Sequence, residues 1–73
     1  MDGREIMKEA MKERKLTQTK LAERIGMAQN GLSMGMNREK ISLGMFRRIL
    51  SGMDYEVAVI DRQTGEIKWT IGE

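Results

Sequence analysis

The 73-residue chain has no cysteine, no histidine and no proline, and one residue each of phenylalanine, tyrosine and tryptophan. Without Cys or His, neither a disulfide framework nor a zinc site of the usual ligands can be built, so an apolar core has to hold the fold unaided. The same absence argues against nucleophilic and imidazole-based catalysis; no enzyme, no cofactor and no metal are expected. No apolar run reaches the roughly 18 residues needed to span a bilayer, and the charged first segment lacks the apolar centre of a secretory signal. A cytoplasmic location and no membrane partner are expected. The length fits one small domain, residues 1–73, with a modest stability margin.

Charge becomes informative once it is divided along the chain. Residues 1–53 carry eleven Lys/Arg against six Asp/Glu, a net +5, whereas residues 54–73 carry two against five, a net −3. Basic side chains concentrated on one part of a small domain release counterions from phosphates, so the body of the chain suits a polyanion.

Hydrophobic periodicity predicts four helices in residues 1–53. In residues 2–14, Ile6, Met7, Ala10, Met11 and Arg14 recur at helical spacing, with Asp2 available as a cap. Thr17 can cap a short second helix, "QTKLAERI", which turns Leu21, Ala22 and Ile25 inward and ends at Gly26, a residue that adopts positive φ without steric cost. With Met27 and Ala28 alone between them, a third helix over residues 29–36 must meet the second at a steep angle. Ser42 can cap a fourth, with Leu43, Phe46, Ile49, Leu50 and Met53 inward, Arg47 and Arg48 toward water, and Gly52 and Asp54 at its end.

From Tyr55 the period changes to two. Tyr55, Val57 and Val59 alternate with Glu56 and Ala58, and Ile67, Trp69 and Ile71 alternate with Lys68 and Thr70, predicting a β-hairpin. Thr64-Gly65 before Glu66 suits a turn that closes on a residue with positive φ. A two-stranded hairpin is marginal alone, so this one must pack on the helices, pair with another chain, or do both.

The stretch "LTQTKLAERIGMAQNGLS" resembles the helix-turn-helix of the phage Cro and repressor family, in which a small residue, a turn glycine and an aliphatic residue recur at fixed offsets. Here they are Ala22, Gly26 and Leu32. The flanking "LTQ" and the later "SL..F..I...M" fit the same pattern, so the resemblance covers residues 7–53. It implies a four-helix, repressor-like domain, mainly α, followed by the C-terminal β-hairpin of residues 54–73. The third helix is then a recognition helix lying in the major groove, with Gln29, Asn30, Ser33 and Met34 toward the bases. Thr17 and Gln18 at the start of the second helix, and Asn37, Arg38 and Lys40 after the third, would hold phosphates.

Two departures from the family stand out. Where it commonly places an arginine and a glutamate that pair between the first and third helices, this chain has Met11 and Met36. Two apolar side chains of suitable volume can replace a buried ion pair, which predicts that Met11 touches Met36. Gly31 and Gly35 fall within the recognition helix, where each costs about 0.5–1 kcal/mol relative to alanine. Gly35 is expected toward the core, allowing close packing of the first helix or of Met36, and Gly31 toward DNA or the helix edge. The eight methionines include the M-x-M of Met34 and Met36, but no Cys or His supports a soft-metal site, and their spacing fits core packing better.

Some members of the family close with a strand that pairs across a dimer axis, and the C-terminal segment resembles that arrangement. Tyr55, Val57, Val59, Ile67, Trp69 and Ile71 would then form the homodimer interface, and a two-fold axis would place two recognition helices about 34 Å apart. The competing expectation is a hairpin that covers its own helices with Trp69 as a core plug. Taken together these features imply a small dimeric regulator, a repressor that binds double-stranded DNA. The alternative is a protein-interaction module, such as the antitoxin half of a toxin–antitoxin pair.

Overall fold

The computed structural model describes residues 1–71. The last two positions of the hairpin segment, Gly72 and Glu73, lie outside the described residues. Helices α1 (Gly3–Arg14), α2 (Gln18–Ile25), α3 (Gln29–Asn37) and α4 (Leu43–Ser51) are followed by strands β1 (Val57–Ile60) and β2 (Ile67–Ile71), which pair antiparallel. The fold is therefore mainly α with a C-terminal hairpin, in the order the periodicity predicted.

Three of the four helices start on a side-chain cap. Asp2 Oδ1 accepts from the Glu5 N–H at 3.0 Å, Thr17 Oγ1 from that of Lys20 at 3.2 Å, and Ser42 Oγ from that of Met45 at 3.2 Å. Each satisfies one orphan donor of a first turn. The cap bond holds the Asp2 carboxyl below its usual range, because accepting the Glu5 N–H favours the ionised form. Helix α1 leaves through Lys15 at φ 56°, and α2 through Gly26 at φ 67°.

The core is apolar throughout. Met7, Ala10, Leu21, Ala22, Leu32, Met36, Ile49, Leu50 and Met53 are buried, and no polar side chain is buried among the described residues. Met11 is half-buried and packs on this cluster, where Met36 is one of the buried members. Neither thioether brings the desolvation cost of a charge to this core.

Several side chains lie elsewhere than periodicity placed them. Leu43, the first residue of α4, is 56% exposed. Arg14 is exposed too; its guanidinium lies 4.3 Å from the Tyr55 ring centroid and its Nε donates to the Met53 carbonyl at 3.0 Å. Arg48 and Arg24 cross-brace two helix ends rather than only facing water. Arg48 of α4 donates to the Ile25 carbonyl at 2.6 Å, and Arg24 of α2 reaches the Gly52 carbonyl at 3.5 Å. Cations at helix C-termini satisfy orphan carbonyls and oppose the macrodipole.

Tyr55 precedes the strands instead of belonging to β1. It packs on the core, and its hydroxyl donates to Glu13 Oε1 at 2.7 Å. That bond holds the phenol pKa above its ordinary value, with desolvation adding to it and Arg14 opposing. Since the folded pKa is raised, the contribution is complete below the ordinary phenol range, about pH 10, and is lost as pH rises through the folded value. Wild type should therefore lose more stability than Tyr55→Phe between about pH 9 and 11, read as the difference between their urea midpoints.

The hairpin turn follows expectation. Gly65 has φ 77°, its N–H donates to the Asp61 carbonyl at 2.7 Å, and Asp61 Oδ1 accepts from the Gln63 N–H at 2.8 Å. Strand register differs from simple alternation. Val57, Ala58 and Val59 pair with Ile71, Thr70 and Trp69, but Ile60 pairs with Ile67, leaving Lys68 as the extra residue of a bulge. Because neighbours on a strand face opposite ways, Ile67 shares a face with Ile60 and not with Trp69 and Ile71. Trp69 is 66% exposed and is no core plug.

Candidate nucleic-acid interface

The turn between α2 and α3 is built from three residues. Gly26 takes the left-handed conformation, and the Met27 N–H donates to the Ala22 carbonyl at 2.9 Å, closing the helix end. Ala22 is buried, and its small side chain permits the close packing of α2 on α3. Leu32 is fully buried beneath α3 and fixes the rotation of that helix.

That rotation sorts the side chains of α3. Leu32, Gly35 and Met36 face inward; Gln29, Asn30, Met34 and Asn37 are exposed, and Ser33 is half-buried. Met34 is 62% exposed whereas Met36 is buried, so the two thioethers of the M-x-M lie on different sides of the helix. Unlike the other helices, α3 has no side-chain cap, because Ala28 occupies that position. Its first turn therefore lacks a bond from the N-cap side chain, and the Gly31 N–H is instead taken up by Asn30 within the helix.

The polar residues differ in how they are engaged. Asn30 Oδ1 accepts from the Gly31 N–H at 2.9 Å, and Asn37 Nδ2 donates to the Ser33 carbonyl at 2.9 Å. Both carry local helix bonds that a base or phosphate contact has to share or replace. Thr17 accepts the Lys20 N–H and keeps its own hydroxyl hydrogen to donate, and Gln18, half-buried, is the first residue of α2. Arg38 and Lys40 are exposed just beyond α3. No acidic residue lies between Ile25 and Arg38, so the exposed face of α3 opposes an anion with no like charge of its own.

Residues 7–60 match the helix-turn-helix family HTH_3, a span running from α1 through β1. The chain belongs to the XRE-type helix-turn-helix family, the Cro/repressor type. This helix-turn-helix protein is accordingly a DNA-binding transcriptional regulator in general class. No curated protein and no solved structure matches the chain. Among the described residues no helix is long and apolar enough to cross a membrane.

Gly35 is buried, as expected, but its neighbour is α4 and not α1. A Cβ on Gly35 would lie 3.8 Å from Met45 of α4, and one on Gly31 would lie 3.8 Å from the Met27 methyl. Both are ordinary contact distances, so neither glycine is required by close packing of α1. Together they leave a groove of about 200 Å³ beside α3, lined also by Met34, Arg38, Ile41, Ser42 and Met45. Sequence reasoning missed Met45 as a wall of this groove, since a methionine in an amphipathic helix reads simply as core. Gly31→Ala with Gly35→Ala should stabilise the fold by about 1–2 kcal/mol in total, seen as a higher urea midpoint with unchanged m value.

Proposed function

We propose that this protein is a sequence-specific, dimeric repressor that acts in the cytoplasm by occupying double-stranded DNA and excluding polymerase. The observation that carries the reading is the outward stripe of α3, Gln29, Asn30 and Met34, exposed on a helix whose N-cap position, Ala28, makes no side-chain bond. Gln29 and Asn30 offer an amide donor and acceptor suited to adenine N7 and N6, Met34 an apolar surface suited to the thymine methyl, and Ser33 a hydroxyl at the margin. Thr17 and Gln18 flank the backbone on one side of the groove, with Asn37, Arg38 and Lys40 on the other. A phosphate at Arg38 and a base edge at Gln29 have different consequences. Gln29→Ala should weaken the selected duplex by about 1–3 kcal/mol relative to random-sequence DNA, while Arg38→Ala should weaken both alike and lower the salt slope by about one.

The deciding experiment is a titration of the protein against random-sequence and selected duplexes at two salt concentrations. A steep salt slope together with a selected palindrome supports the proposal. Loss of both leaves the protein-interaction module, with the antitoxin as its example, as the better account; the exposed apolar hairpin, Val59, Ile60, Ile67 and Trp69, is the observation that favours it.

A further inference from the structure

Methionine carries all the sulfur of this chain, eight thioethers and no thiol. Tertiary structure divides them by access. Met7, Met36 and Met53 are buried in the core, and Met11, Met27 and Met45 are half-buried. Met1 and Met34 are exposed; Met1 precedes α1, whereas Met34 stands on the outward stripe of α3. The contrast is sharpest within the M-x-M, where Met34 is 62% exposed and Met36, two residues on, is 2% exposed. A small oxidant in solution therefore reaches Met34 directly, and reaches Met36 only when the core opens.

We propose that Met34 is a site of reversible oxidation whose conversion to the sulfoxide releases the protein from DNA. This rests on the DNA-reading stripe proposed above and names its regulation. In the step, Met34 Sδ attacks one oxygen of hydrogen peroxide. An S–O bond forms as the O–O bond breaks, sulfur gives up two electrons, and the second oxygen leaves as water. Methionine sulfoxide reductases reverse it at the expense of a dithiol, which becomes a disulfide as the sulfoxide oxygen leaves as water. Two features of the site make the change felt at DNA. The thioether offers an apolar surface to a thymine methyl, whereas the sulfoxide oxygen has to shed water to enter the same contact and finds no donor on the methyl. Met34 and Arg38 are also one helical turn apart and line the same groove of about 200 Å³, so the new acceptor competes with phosphate for the Arg38 guanidinium. In the free protein the sulfoxide stays in water, so oxidation at Met34 acts on binding and leaves the core as it is.

The test treats the full chain with hydrogen peroxide and follows it by peptide mass spectrometry, circular dichroism melting and titration of the selected duplex. Met34 should convert well before Met36, and its conversion should weaken the selected duplex about tenfold or more while the melt is unchanged. Met34→Leu, which keeps the apolar surface, should bind as the reduced protein does and hold that affinity through the same treatment, even as Met1 oxidises. Met34→Gln should bind as weakly as the oxidised wild type before any treatment. Both stereospecific methionine sulfoxide reductases, supplied with dithiothreitol, should restore the wild type. Equal rates at Met34 and Met36, unchanged affinity after Met34 converts, the same loss in Met34→Leu, or a loss that the reductases do not reverse would each overturn the proposal. A reduced protein that binds neither selected nor random-sequence duplexes gives a different result, the failure of the DNA reading itself.

Discussion

Leu32→Ala should destabilise this protein by about 2–5 kcal/mol, the range for removing a fully buried leucine and leaving a cavity. Domains of this size hold about 4–11 kcal/mol, at ~0.05–0.15 kcal/mol per residue, so the loss is a large share of the whole. Leu32 is fully buried and belongs to α3; the chain has no cysteine, and no buried ion pair among the described residues offers a second anchor. The variant is expected to melt well below the wild type and to lose DNA affinity in proportion to its unfolded fraction, although Leu32 faces away from the exposed stripe. Leu32→Met, which nearly conserves volume, should cost less than about 1.5 kcal/mol and restore binding. Equilibrium urea unfolding beside duplex titration measures both effects; a Leu32→Ala protein as stable as wild type would contradict the packing described.

Gly52→Val should cost about 3 kcal/mol, near the upper end for overpacking. A Cβ at Gly52 would overlap Ile25 Cγ2 and stand 3.2 Å from Leu21 Cδ1 and 3.4 Å from the Ile49 carbonyl oxygen. Backbone strain is not the cause, since Gly52 has φ −63°, a value any residue accepts. The glycine is needed for the approach of α2 to the end of α4, where Arg24 and Arg48 tie the same two helix ends together. Ile25→Ala should relieve the overlap, so a double-mutant cycle of Gly52→Val with Ile25→Ala is expected to be strongly non-additive. Additive losses in thermal unfolding would refute the steric account.

Gly52 also shows where reading by residue type stops. As a glycine near a helix end it reads as a left-handed terminator, yet the positive φ belongs to Asp54, at 63°, and Gly52 is a packing position. Gly26 and Gly65 have the positive φ that their turns require, because in both cases the demand arises from four or five consecutive residues. Leu43 misleads for a related reason. Helical spacing puts it in line with Phe46 and Leu50, but Leu43 is left exposed while Phe46 packs on the core, a difference set by the neighbouring segments and not by spacing. The strands divide in the same way: alternation locates β1 and β2, while the bulge at Lys68, which no alternation pattern contains, moves Ile67 to the other face.

The candidate interface was legible to a similar depth. Ala22, Gly26 and Leu32 are local requirements of two helices meeting across a three-residue turn, and they also fix which side of α3 points out. Engagement of Asn30 and Asn37 in short-range bonds, and the groove left by Gly31 and Gly35 against Met45, depend on rotamers and on a neighbouring helix.

The amino-acid sequence by itself determined the elements and their order, the family, and the basic body with its acidic tail, because periodicity, capping and charge are properties of neighbours along the chain. Tertiary structure alone decided that the arginines of α2 and α4 brace each other's ends, that Tyr55 and Val57 pack on the helical core while Val59, Ile60, Ile67 and Trp69 stay exposed, and that Gly52 sits where α2 meets the end of α4. Each of these is set by distances between segments far apart in the chain, which no local pattern encodes.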